Sequence, residues 1–166
     1  LGALKAGAFA VAESPSRQAL ALGLLGCLGD ADPALRDGIA FEAWTTWLRA
    51  GLLDEETRRH SLVQLQGAIA PARADEAGFT QPFAALVLSE LARSDRKQAW
   101  MTLAERAALV EAAAAYVESV RDYRGFIAGQ GWRHGVAHGA DLLMQLALNP
   151  VLDKPQLDRI LRLFYD

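Results

Sequence analysis

Lysine is scarce in this sequence, cysteine is nearly absent, and no long apolar run interrupts it. Only Lys5, Lys97 and Lys154 carry ammonium groups. With the arginines they make 17 cations against 20 carboxylates, a formal net charge of −3 and a pI near 5.6. A partner whose main feature is a phosphate backbone needs a cationic surface, so this composition speaks against nucleic acid. It equally gives no basic helix for a membrane surface. Cys27 stands alone, which excludes an intrachain disulfide and a cysteine-ligated zinc site. It lies in an apolar helical run and reads as a small buried thiol. No run approaches the ~18–20 apolar residues of a membrane span. A soluble protein is expected. Its compartment, cytoplasmic or periplasmic and secreted, stays open, because the chain begins at Leu1 rather than Met.

What the sequence has in quantity is alanine and leucine, the strongest helix formers, within a 52% apolar composition. That hydrophobicity excludes whole-chain disorder. A length of 166 residues suits one domain over 1–166 with a core of its own. Helix signals recur along it. Ser14-Pro15 opens a first helix that ends near Gly29. Asp32-Pro33 opens a second, with Ile39, Phe41, Trp44, Trp47 and Leu48, ending at Gly51. Asp54 caps a third, stopped by Pro71. Thr80 and Pro82 open a fourth, to about Ala92. Thr102 and Glu105 form a capping box for a fifth, to about Val120. A glycine-containing loop over 121–130 precedes a sixth, from about Trp132 to Asn149. Asp153 and Pro155 open the last.

Seven helices with short turns predict an all-α fold. The second, fourth and sixth begin about 50 residues apart, slightly more than the repeat of HEAT or armadillo units. The turn Gly29-Asp30-Ala31-Asp32-Pro33, followed by Arg36 and Asp37, looks like the inter-helix turn of a HEAT repeat. The expected architecture is therefore an α–α superhelix of HEAT/armadillo-like helix pairs. In that turn Asp32 satisfies free N–H groups, Pro33 fixes the helix start and Arg36 reaches carboxylates of a neighbouring turn.

Chemistry, if any, concentrates in the sixth helix and the loop before it. His134, His138, Asp141, Gln145 and Asn149 fall within an arc of about 80° at helical spacing. They make one polar stripe, with Trp132, Val136, Leu143 and Ala147 on the opposite side. Gly135 and Gly139 leave room beside it for a neighbouring backbone or a ligand. Histidines at i and i+4 can share a divalent metal such as zinc, and Asp141 is a third candidate ligand. The glutamate base of the His-Glu-x-x-His proteases is absent. Alternatively, the stripe is a hydrogen-bonded structural or ligand-binding network, or a metal-free acid–base pair. In the network reading Asp141 fixes the tautomer of His138 and raises its pKa. Arg124 in the loop and Asp37 on the second helix are further candidates for the same site. Trp132 is the tryptophan placed to line it; Trp44, Trp47 and Trp100 read as packing.

The string Gly131-Trp132-Arg133-His134-Gly135-Val136-Ala137-His138-Gly139-Ala140-Asp141 resembles a bacterial family known only as domain of unknown function 2785. So do Asp32 to Ala40 and the helix from Phe79 to Leu91, which extends the resemblance over nearly the whole chain. The resemblance implies a helical-repeat fold and supplies no activity and no catalytic residues. Members of that family often carry Arg-Ser where Gln81-Pro82 stands here. On these grounds the expected function is a binding or scaffold module that holds a protein, peptide or small molecule in a concave groove. The alternative is a hydrolase, metal-dependent or acid–base, working through His134, His138 and Asp141.

Overall fold

The computed structural model describes residues 1–165. It is mostly helical, and the only strands among the described residues form one small hairpin. The helices are α1 (Gly2–Ala6), α2 (Ser14–Leu24), α3 (Pro33–Leu35), α4 (Glu42–Arg49), α5 (Glu55–Ala68), α6 (Thr80–Lys97), α7 (Leu103–Ser119), α8 (Gly135–Ala147) and α9 (Lys154–Arg162). Strands β1 (Phe126–Ile127) and β2 (Gly131–Trp132) pair antiparallel, Phe126 opposite Trp132.

Local chemistry explains most boundaries. Asp32 accepts from Ala34 N at 2.8 Å, and Pro33 occupies the first helical position, where its missing N–H costs nothing. Thr102 with Glu105, and Asp153 with Gln156, close reciprocal capping boxes at α7 and α9. Three boundaries differ from the pattern of the sequence. The second helix is not uniform: a π-helical segment, Arg36–Phe41, joins α3 to α4. α6 runs one turn beyond Ala92, because Asp95 is anchored from outside the helix. It accepts from Trp100 N, Met101 N, Arg106 and Asn149 Nδ2. α8 starts at Gly135 rather than Trp132, since the chain first folds back as the hairpin, with Gly129 and Gly131 at positive φ.

α6 is the central element, packed against α4, α5, α8 and the 3₁₀ turn Leu25–Gly29. Its residues Pro82–Ala85 and Val87–Ala92 are buried. One hydrophobic core runs from Phe9 to Ile160. Trp44 and Trp47 are wholly buried in it, and each indole N–H donates to a backbone carbonyl, of Ala21 and Phe9. That satisfies the polar handle which makes a buried tryptophan costly.

Candidate functional site

The hairpin and the N-terminus of α8 meet the N-terminus of α6, and the sequence-predicted site residues gather around that joint. Trp132 does not belong to the helix. It stands on β2, 46% exposed, with its ring 4.1 Å from that of His134 and edge-on to Phe126 at 5.1 Å. His134 is the residue before α8 and holds a left-handed conformation, φ 47° and ψ 34°. Few non-glycine residues adopt it. Its ring meets that of His138 edge to face, with centroids 5.7 Å apart.

His138 is buried, and its Nδ1 lies 3.1 Å from the carbonyl oxygen of Pro82. A carbonyl only accepts, so Nδ1 carries the proton and Nε2 presents a lone pair. Phe83 packs edge-on to the ring at 5.1 Å. Burial pushes the imidazole pKa down to about 4. The Pro82 hydrogen bond opposes the shift, and the charges of His134 and Arg36 add to it. Nε2 has no partner among the described residues. It is not sealed off either, because the one buried side-chain nitrogen or oxygen lacking a partner there is Arg133 Nε.

This corrects the expected pairing of His138 with Asp141. The tautomer is fixed by a backbone carbonyl, and the pKa moves down rather than up. Asp141 is half-buried and makes no hydrogen bond among the described residues. Burial raises its pKa, with Glu90 adding repulsion and His134 opposing. Nor does a three-ligand metal set assemble: among the described residues no group of three or more His, Cys, Asp or Glu stands in metal-holding geometry. Nδ1 of His138 is engaged by Pro82, so only Nε2 of that ring faces any ligand.

The rest of the stripe turns inward. Arg96 Nε donates to Gln145 at 3.1 Å, and Asn149 donates to Asp95 at 2.8 Å. Gly139 admits a neighbouring helix rather than a ligand. A Cβ on Gly139 would sit 2.7 Å from Val117 and 3.2 Å from Tyr116, both on α7.

Asp37 does not face the imidazoles directly. It is held by Arg36 at 2.7 Å, and its other oxygen lies near Gly131 of the hairpin. Burial raises its pKa in spite of that arginine. Arg124 is exposed and bound to Asp122, whose carboxyl it holds below the usual range. Both border a cavity of about 250 Å³, together with Asp75, Tyr116, Arg133 and Gly135, beside the Pro82 carbonyl that holds His138.

Two residues that organise this joint were not singled out for it in the sequence. Arg36 is completely buried and donates to the carbonyls of Asp30 and Gln130, tying the first inter-helix turn to the hairpin. Its guanidinium lies 4.0 Å above the Phe79 ring, and Arg133 lies 4.4 Å from the same ring. Arg133 also bonds Ala77 O at 2.5 Å and Gln130 Oε1 at 2.8 Å. Phe79 thus packs two buried cations, whose attraction to the ring face offsets part of their desolvation. The sequence carried a faint signal: Arg36 follows the Asp-Pro turn, and Arg133 stands between Trp132 and His134 in a glycine-rich loop.

The geometry defines a helical protein with a neutral, oriented imidazole beneath an exposed aromatic stack. The chain belongs to the family described as Protein of unknown function (DUF2785), whose model matches residues 65–165. That match contains α6 to α9 and the whole joint except the contributions of Arg36 and Asp37. No curated protein and no solved structure matches the chain.

Proposed function

We propose that this chain is a binding module of the helical-repeat kind, with its ligand seated on Trp132 and His134 and hydrogen-bonded to His138. The observation that carries the proposal is His138. Its ring is neutral, its Nδ1–H is committed to Pro82, and Nε2 is left as a fixed acceptor beside an exposed aromatic stack. A base whose conjugate acid has a pKa near 4 takes protons weakly at neutral pH, but it accepts a hydrogen bond well. Binding suits it better than acid–base chemistry. The fitting ligand is a peptide segment that stacks one aromatic side chain on Trp132 and donates an N–H to Nε2. Exposed Tyr123 and Phe126 extend the same surface.

The superhelical reading is supported by alternate adjacency: α4 packs on α6 and α6 on α8, while α2 packs on α5 and α7 on α9. Stacked helix pairs produce that order, with the second helix of each pair forming one layer. Selection of a phage-displayed random peptide library on the wild type and on a Trp132→Ala/His138→Asn variant tests the reading. Aromatic-containing peptides should enrich on the wild type and be lost on the variant. No enrichment, or peptides that bind both proteins equally, overturns it.

A further inference from the structure

The outward face of α8 is apolar without interruption. At helical spacing Val136, Ala137, Ala140, Met144, Ala147 and Leu148 span an arc of about 120°, and every one is exposed. Val136 and Met144 are 47% exposed and Leu148 57%. No charged or polar side chain lies within that arc. The helix's one charge, Asp141, and its glutamine, Gln145, fall at the edge and are half-buried. The remaining sides of α8 are covered by α6, α7 and α9. A surface helix normally turns its polar residues to water. α8 does the reverse, sending His138, Gln145 and Asn149 inward to bonds on α6.

We infer that this face is covered by a second copy of the chain, with α8 packed antiparallel on the partner's α8 about a two-fold axis near Ala140 and Met144. Three features select that occupant. The area suits it: the α8 arc with Val151 beyond its end exposes on the order of 500 Å², leaving the Trp132 platform free. Pairing two such faces buries about 1,000 Å² in all, the lower end for a specific interface, and the patch is among the larger ones a single chain leaves open. The charge suits it, because a face with no charge inside the arc meets its own copy without repulsion, and a two-fold interface requires that self-complementarity. The shape suits it too. Ala137, Ala140 and Ala147 allow close approach, and Met144 fills the irregular space between them. Antiparallel packing sets the positive end of one helix beside the negative end of the other. It also brings the partner's Leu148 and Val151 to the rim of the Trp132–His134 stack.

Sedimentation equilibrium of the chain over a wide concentration range tests this inference, independently of any ligand. Wild type should show twice the 17.9 kDa chain mass. Ala140→Glu with Met144→Glu places like charges across the axis and should weaken association by ~100-fold or more, giving the single-chain mass. Val63→Glu, on the equally exposed surface of α5, should leave the dimer intact. Far-UV circular dichroism establishes that each variant is folded. In a Cys27→Ser background, Ala140→Cys should give a covalent dimer with a short bis-maleimide, and Val63→Cys should not. A wild type that is monomeric at every concentration, a dimer that survives the double Glu change, or equal cross-linking at both positions overturns the inference.

Discussion

Replacing His138 with Asn separates its two roles. The Asn amide can still donate to the Pro82 carbonyl, but it cannot take up a proton. In the native protein the imidazole pKa is about 4, against 6.5 for an ordinary histidine. Between those values the unfolded chain binds a proton that the folded chain refuses, so stability rises with pH there. The contribution is complete above pH 6.5 and is lost as pH falls towards 4. The shift is worth at most about 3 kcal/mol at 1.36 kcal/mol per unit. Asp95, Glu105 and Asp122, whose pKa values are lowered, also cost stability in acid. They are common to both proteins, so the difference between wild type and variant isolates the histidine. Urea unfolding at closely spaced pH values from 4 to 8 gives that difference. The wild type should lose about 2–3 kcal/mol relative to His138→Asn as pH drops through the window. NMR titration of the His138 ring should show no protonation above pH 5. A difference that stays flat with pH, or a His138 midpoint near 6.5, refutes the buried neutral imidazole.

Arg36→Met removes the donor to Asp30 O and Gln130 O and leaves Asp37 unpaired, so it should cost about 3 kcal/mol. Faster hydrogen exchange over residues 129–132 should accompany the lower urea midpoint. Asp95→Ala strips the acceptor from two backbone N–H groups, Arg106 and Asn149 at one buried point; a loss of about 3–5 kcal/mol is expected in the same assay. Gly139→Ala drives a methyl group into Val117 and Tyr116 and should lower stability by about 1–3 kcal/mol, with a lower melting temperature.

The helices were legible because their signals are local. Capping residues, first-turn prolines and leucine spacing placed every long helix to within a turn or so. The short α1 went unseen because its five residues carry no side-chain cap and bury nothing. The π segment was illegible for a different reason. Arg36 satisfies its donors through Gln130, 94 residues away, and no helical pattern encodes that bond. The hairpin was hidden because two-residue strands leave no alternation to read. Its consequence for the site was large: starting α8 at Trp132 put that ring opposite the histidines, whereas the fold stacks it on His134. Of the stripe's positions, His138, Asp141 and Gln145 lie on α8, while His134 precedes it in a left-handed conformation and Asn149 follows it. The direction of the stripe was not legible, since a helical wheel gives a face but not what covers it.

That direction explains why one helix carries both the proposed ligand site and the proposed dimer face. Each polar group sent inward from α8 needs a fixed partner in a low-dielectric setting, and α6 supplies the Pro82 carbonyl, Arg96 and Asp95. Those bonds hold the rotation of α8 about its axis. Rotating it would strand His138 and Asn149 without partners, and each stranded buried group costs about 1–3 kcal/mol. With rotation held, Val136, Met144 and Leu148 are committed to the outside, and water is a poor neighbour for them. The same register that holds the His138 ring against Pro82 and His134 therefore presents an apolar surface a few residues further along. A single change at Pro82 that displaced its carbonyl would loosen both: the imidazole would lose its tautomer, and the α8 face its alignment with the proposed partner copy.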